Sequence, residues 1–194
     1  MDGRSDKEKT LNLAPQTSAS SPDPTAELEK MFRQHHRQVF RAAYRVTGNA
    51  QDAEDAMQTV FMRLARREGG SPLSDSAASY LQRAAVNAAL DVVRARKTSR
   101  STPLDDVEPV LEDRGAADPD RDQRDRDIRE QIRLALTKVS DRAAEIFVLR
   151  YFQGYGNNEI AKMLGTSRGT VNVILHRTRN RVKEEIENRL GDQL

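Results

Sequence analysis

The chain has 194 residues, a mean hydropathy of −0.77, 5% aromatic residues and no tryptophan, which favours small domains over one large core. It contains no cysteine, so disulfides and thiolate metal sites are excluded and a reducing, cytoplasmic location is expected. No apolar run approaches the ~20 residues that span a bilayer, and the polar N-terminus lacks the apolar core of a secretion signal. Membrane insertion is therefore not expected.

The formal net charge of +2 is a sum over segments of opposite sign. The net charge is −2 for residues 1–27, +6 for 28–100, −6 for 101–127 and +4 for 128–194. Basic surfaces bind phosphates with release of counterions, whereas an acidic segment is repelled from nucleic acid or folds back over a basic surface. The pattern predicts two basic bodies joined by an acidic segment.

The N-terminal half predicts a tail followed by three helices. Residues 1–26 are rich in Ser, Thr, Pro and charge, which is typical of a disordered tail. Apolar residues at helical spacing then predict helices from about residue 28 to 47, from 52 to 65 and from about 78 to 97, with a Gly- and Ser-rich loop from 67 to 79. We expect residues 27–100 to form a compact helical module.

The remainder predicts a linker and a second helical module. Residues 101–127 hold three prolines and most of the acidic charge, which favours a flexible linker. Helical spacing resumes at Ile128, and a second apolar stripe is formed by Ala143, Ile146, Phe147, Arg150 and Tyr151. With no predicted strand, the fold class is all-α: two small helical domains, with the second covering residues 128–194.

Residues 157–183 have the pattern of a helix-turn-helix. A short apolar helix up to Leu164 precedes Gly165, and Ser167 is placed to cap a long basic helix. With the apolar residues of both helices inward, the second helix presents a set of side chains to a DNA major groove: Arg168, Thr170, Asn172, Val173, His176, Arg177 and Arg179. Asn suits adenine, Arg suits guanine or phosphate, and Val suits a thymine methyl group. The alternative is a basic helix that is merely solvated.

Long stretches of both modules resemble a bacterial sigma factor of the extracytoplasmic-function (ECF) class in the sigma-70 family. Residues 52–64 resemble the segment that docks on core RNA polymerase, and residues 80–94 resemble the segment that melts and reads the minus-10 promoter element. Residues 147–152, 169–171 and 175–177 resemble the region that reads the minus-35 element. The resemblance implies core RNA polymerase and promoter DNA as partners, and no cofactor or small-molecule substrate.

The resemblance also implies site residues in the first module. Core polymerase binding falls on the outward face of the second helix: Asp52, Asp55, Gln58 and Met62. Minus-10 recognition falls on the preceding loop and on one face of the third helix: Ser74, Asp75, Ser76, Tyr80, Arg83, Asn87, Asp91 and Arg94. A hydroxyl-rich loop suits the edge of a flipped base, and an aromatic ring suits stacking. The alternatives are a core aromatic for Tyr80 and a solvated helix residue for Asn87.

Some positions depart from the family pattern. Tyr80 stands where the family usually has Trp, and Gly156 replaces the usual Ser or Thr cap. Asn172 and Ile174 occupy positions that are commonly basic, so the usual minus-35 contacts are not all carried over. Many members of the class are held inactive by a protein between the two modules, so an anti-sigma factor is a further partner that the resemblance implies.

Three other classes of function compete with this interpretation. Catalysis is disfavoured because His35 and His36 point about 100° apart on a helix, and the acidic start of the second helix is explained by the helix dipole. A free-standing helix-turn-helix transcriptional regulator shares the DNA-binding motif and is the main alternative. A helical adaptor that binds only protein would show no salt-dependent DNA binding.

Overall fold

The computed structural model describes residues 24–66, 77–98 and 119–191, and every regular element in these ranges is an α-helix. The helices in chain order are α1 (Pro24–Thr47), α2 (Ala50–Ala65), α3 (Ala77–Thr98), α4 (Pro119–Leu136), α5 (Asp141–Tyr151), α6 (Asn157–Met163) and α7 (Arg168–Gly191). The all-α class is therefore confirmed. We refer to α1–α3 as the N-terminal module and to α4–α7 as the C-terminal module.

The N-terminal module is a three-helix bundle whose turns follow from local chemistry. Gly48 ends α1 with a φ of +81°, and its N–H donates to the carbonyl of Tyr44 at 2.8 Å. Asn49 caps α2, because its Oδ1 accepts from the backbone N–H of Asp52 at 2.8 Å. A Cβ on Gly48 would also overlap the guanidinium of Arg133 in α4, so this turn lies directly against the C-terminal module.

Two helices begin earlier than the sequence pattern predicts. Helix α1 starts at Pro24, and α4 starts at Pro119 within the predicted linker of residues 101–127. Proline is favoured at the first position of a helix, and Gln123 donates to Asp127 one turn later at 3.0 Å. Side-chain pairs of this kind support a helix that has no apolar stripe, which is why periodicity alone missed it. Residues 99–118 lie outside the described part of the chain.

Helix α5 is buried on nearly every side. Six consecutive residues are buried, from Ala144 to Leu149, because α5 packs against α3, α6 and α7. The predicted stripe placed Arg150 and Tyr151 on the inner face, but both are exposed, Tyr151 by 48%. Glu145 is buried instead, and its partners lie in both modules.

The helix-turn-helix forms as predicted. Gly165 has a φ of +59°, which glycine adopts without strain. Ser167 caps α7, since its Oγ accepts from the backbone N–H of Thr170 at 3.0 Å. The apolar residues expected inside are all buried: Ile160, Ala161, Leu164, Val171, Leu175, Thr178 and Val182.

The two modules are in direct contact, whereas the sequence suggested two separate bodies. The contact is made mainly between α3 and α5, with a smaller contribution from α4. The side chains that meet there are largely polar, as is common between domains of one chain. None of the described helices is long and apolar enough to span a membrane.

Val171 and Val173 allow a matched test of the helix-turn-helix core. Val171 is fully buried and Val173 is 51% exposed, two positions apart in α7. Val171→Ala should lower the free energy of unfolding by about 2 kcal/mol more than Val173→Ala, because only Val171 loses buried methyl groups. Both substitutions change helix propensity alike, so that effect cancels. Urea denaturation followed by circular dichroism measures the difference, and equal losses would contradict the packing described.

Candidate nucleic-acid interface

The predicted DNA-reading side chains of α7 share one exposed surface. All seven residues are exposed: Arg168, Thr170, Asn172, Val173, His176, Arg177 and Arg179. They lie opposite the buried residues Val171, Leu175 and Thr178, whose spacing fixes which face points outward. We refer to this set as the recognition face.

The charges along α7 separate this face from an ordinary solvated helix. In the second half of the helix, Arg181 pairs with Glu184 at 2.9 Å and Lys183 pairs with Glu187 at 3.5 Å. By contrast, Arg168, Arg177 and Arg179 form no ion pair with any described residue. The first half therefore keeps its positive charge, and the helix N-terminus adds to it.

A cleft beside the recognition face contains residues that the sequence analysis did not assign to DNA binding. It is lined by Arg150, Tyr151, Asn157, Asn172, Leu175, His176 and Arg179. Asn157 Nδ2 donates to Asn172 Oδ1 at 2.5 Å, which joins α6 to the recognition helix. With its oxygen engaged, Asn172 directs its amide N–H groups toward the cleft as donors. A basic and an aromatic residue at the end of the preceding helix were the sequence signal for Arg150 and Tyr151.

The start of α6 is fixed by a polar contact that the sequence retains. The backbone N–H of Gly156 donates to Glu159 Oε2 at 2.6 Å, which is one half of a capping box. Burial raises the pKa of the neighbouring Tyr155 phenol, and the negative charge of Glu159 raises it further. Tyr155 therefore stays neutral at physiological pH.

The predicted minus-10 face of α3 lies against the C-terminal module. Arg83 Nε donates to Glu145 Oε1 at 2.9 Å, and Asn87 Nδ2 donates to the same oxygen at 3.2 Å. Arg94 pairs with Asp141 at 3.1 Å. Asn87 is therefore not the solvated helix residue of the alternative interpretation, because it is partly buried between modules.

The remaining residues of that set differ in their surroundings. Tyr80 is 39% exposed, so it is not a core aromatic. Asp91 lies 3.7 Å from Arg63 of α2, with both side chains more than half exposed. The loop residues Ser74, Asp75 and Ser76 lie outside the residues that the structure describes.

The outward face of α2 divides into a structural residue and an open surface. Asp52 has a side chain only 14% exposed, which Arg96 contacts at 2.6 Å and Asn49 at 2.8 Å. Its expected place on an open docking surface is therefore incorrect, because these two partners cover its carboxylate. Asp55 and Gln58 are exposed, and Met62 is 46% exposed. We refer to these last three residues as the α2 face.

Within the described ranges, no group of three or more His, Asp or Glu residues is placed to hold a metal ion. The exposed groups that gather on α7 and α2 are instead hydrogen-bond donors, cations, one carboxylate and one thioether. Such groups suit recognition of a macromolecule.

Comparison with known proteins assigns both modules. The family model for sigma-70 region 2 matches residues 31–99, and the model for sigma-70 region 4 matches residues 129–182. The ECF RNA polymerase sigma factor SigM of Mycobacterium tuberculosis is 36% identical over 154 residues, covering 79% of this chain and 74% of SigM. The chain belongs to the ECF class of sigma factors. It is an RNA polymerase sigma factor that directs transcription initiation, and a free-standing regulator is not favoured.

Other relatives agree with this assignment. The RNA polymerase sigma-E factor of Streptomyces avermitilis is 31% identical, covering 84% of this chain and 87% of that protein. A solved structure of the sigma factor RpoE in complex with the anti-sigma factor NepR, from Bartonella quintana, is 18% identical with a TM-score of 0.49, covering 83% of this chain and 97% of that one. The N-terminal module is thus region 2 of this ECF sigma factor, and the C-terminal module contains region 4.

Asp52 and Asp55 provide a test of the corrected assignment in region 2. Asp52→Ala should lower the free energy of unfolding by about 1–2 kcal/mol, because it removes the contacts to Arg96 and Asn49 near the start of α2. Asp55→Ala, on the exposed side of the same helix, should change it by less than about 0.5 kcal/mol. Thermal denaturation of both variants measures this, and an Asp52→Ala variant as stable as the parent chain would refute the structural role.

Proposed function

We propose that region 4 of this ECF sigma factor reads the minus-35 promoter element through the recognition face of α7. The observation that carries this proposal is the separation of charge along α7, with three unpaired arginines in its first half and paired cations in its second. A solvated helix gains nothing from leaving cations unpaired on one face, whereas a phosphate backbone supplies their counter-charge. Val173, exposed between them, suits a thymine methyl group.

Arg150, Tyr151 and Asn157 extend this interface beyond the recognition helix. Arg150 lies at the edge of the cleft, where it can contact a phosphate next to the bases that α7 reads. Asn157 acts as a positioning residue, because it engages the oxygen of Asn172 and leaves the amide N–H groups for a base. Asn172 then favours a base edge with acceptors, rather than the bidentate contact to adenine that the residue type alone suggests.

Region 2 is proposed to bind core RNA polymerase through the α2 face and to read the minus-10 element through α3. The α2 face combines an exposed carboxylate, an amide and a thioether, which together suit a protein partner with a basic and apolar surface. On α3, Arg83, Asn87 and Arg94 supply donors for phosphates and bases, and Tyr80 offers an exposed ring for stacking.

In this proposal the chain carries no catalytic activity of its own, since RNA synthesis belongs to the polymerase. Its place of action is the cytoplasm, where bacterial transcription occurs. The anti-sigma factor implied by the sequence resemblance stays a prediction, because no described contact tests it.

Reversal of charge on the α2 face tests docking to the polymerase. Asp55→Arg combined with Gln58→Ala should abolish association with core RNA polymerase and run-off transcription, while helical content stays unchanged. Charge reversal at a protein interface turns attraction into repulsion and costs several kcal/mol. Co-purification with core enzyme and circular dichroism measure the two properties.

A matched control lies on α4, where Gln123 and Asp127 form the same kind of exposed pair that Gln51 and Asp55 form on α2. Asp127→Arg combined with Gln123→Ala makes the same change in charge and composition away from the α2 face. It should leave polymerase binding intact. Tight core binding by the α2 variant, or equal loss in both variants, would remove the docking assignment.

A double-mutant cycle tests the role of Asn157. Asn157→Ala and Asn172→Ala should each weaken binding of the holoenzyme to promoter DNA, and the double variant should lose little more than Asn172→Ala alone. The coupling should be about 1 kcal/mol, the usual contribution of one hydrogen bond. Asn158→Ala, at the exposed neighbouring position, is the control and should have no effect. Additive losses would show that Asn157 does not act through Asn172.

A further inference from the structure

Regions 2 and 4 meet at a buried carboxylate. The side chain of Glu145 in α5 is 6% exposed, and its Oε1 accepts from Arg83 at 2.9 Å and from Asn87 at 3.2 Å. Its Oε2 accepts from Arg142 of the same helix at 3.3 Å. Arg83 also donates to the backbone carbonyl of Met163 at 3.0 Å. One carboxylate of region 4 thus holds two side chains of α3 in region 2.

A second contact between the regions is formed by Gln153, directly after α5. Its Oε1 accepts from Gln82 at 2.9 Å and from Arg45 at 3.4 Å, and its Nε2 donates to the carbonyl of Ala42 at 3.0 Å. Gln82 is only 5% exposed, so this polar side chain is satisfied across the boundary between the regions. The contact involves both α1 and α3.

Further contacts run along the length of α3 and reach the end of α1. Arg94 pairs with Asp141 at the start of α5, at 3.1 Å. Arg133 of α4 donates to the carbonyl of Val46 at 2.7 Å, and its side chain is 13% exposed. Region 4 therefore covers the same face of α3 that contains the proposed minus-10 residues.

We infer that the isolated chain is autoinhibited by this contact, with region 4 covering the minus-10-reading face of region 2. The inference rests on the proposed role of α3. The donors of Arg83 and Asn87 that meet Glu145 are those that would contact a promoter strand, and they cannot serve both at once. The Glu145 carboxylate occupies the place of a phosphate or a base acceptor, so closure and promoter binding exclude each other.

The closed and open forms are in competition, so closure lowers the apparent affinity for promoter and polymerase by the fraction of chains that are open. Polar contacts between domains release more readily than apolar ones, because the separated groups are hydrated again. Core polymerase binds the open form in this scheme and shifts the population toward it. A substitution that weakens the contact should therefore tighten polymerase binding.

Glu145→Gln is the most direct variant, since it removes the charge and keeps the shape of the side chain. Gln153→Ala weakens the second contact by an independent route, outside the buried part of α5. Glu184→Gln is the matched control: Glu184 is an exposed glutamate of the same region that pairs with Arg181 and contacts no residue of region 2. None of these three residues belongs to the proposed DNA or polymerase interfaces.

Spin labels report the closure directly. Because the chain has no cysteine, Glu54→Cys in α2 and Asn188→Cys in α7 give a single labelled pair at two exposed positions. Double electron–electron resonance on the isolated parent chain should give one narrow distance. Glu145→Gln and Gln153→Ala should broaden and lengthen it, whereas Glu184→Gln should not. A broad distribution in the parent chain, or a narrow one in both interface variants, would overturn the inference.

Core polymerase binding supplies the second measurement. Addition of core RNA polymerase should replace the narrow distance by a longer one, and Glu145→Gln should bind core enzyme about fivefold more tightly than the parent chain. Unchanged affinity and an unchanged distance on the polymerase would refute autoinhibition. Failure of the parent chain to support transcription would instead refute the proposed function, and the distances of the isolated chain would still decide whether it is closed.

Discussion

The burial of a single carboxylate, that of Glu145, governs how the two regions are arranged. A buried charge is tolerated only when hydrogen bonds replace its hydration, and removal of a partner from such a site within a core costs about 3–5 kcal/mol. Glu145 lies at a boundary between regions, so loss of its partners is relieved when the regions separate and water returns. The same group that holds the closed arrangement therefore also favours opening once Arg83 and Asn87 find another acceptor.

Charge neutralisation within helices decides which surfaces remain available. On α7, glutamates one turn away neutralise Arg181 and Lys183, so that segment has little electrostatic reach. On α2, Arg96 neutralises Asp52, while the nearby Asp55 stays exposed. In both helices the pattern of intramolecular pairs separates residues that support the fold from residues that are left for a partner.

Local chemistry made much of the fold predictable. The caps at Ser167 and Asn49 and the turn at Gly165 depend on residues within four positions, so the pattern of the chain contains them. The burial of Asp52 depends on Arg96, and that of Glu145 depends on Arg83. These partners are 44 and 62 positions apart in the chain, and helical periodicity carries no information about such pairs. The surface helices α4 and α7 were found by different signals, α7 by its turn and α4 only by the structure.

The overlap of Gly48 with Arg133 limits how the chain can diversify. A side chain at Gly48 would displace the guanidinium and break its hydrogen bond to Val46, and the left-handed backbone adds strain for any other residue. The two positions belong to different regions, so a change at one is tolerated only with a change at the other. Chimaeras that exchange region 4 between paralogues should therefore lose this fit unless the incoming region brings a residue compatible with the glycine turn.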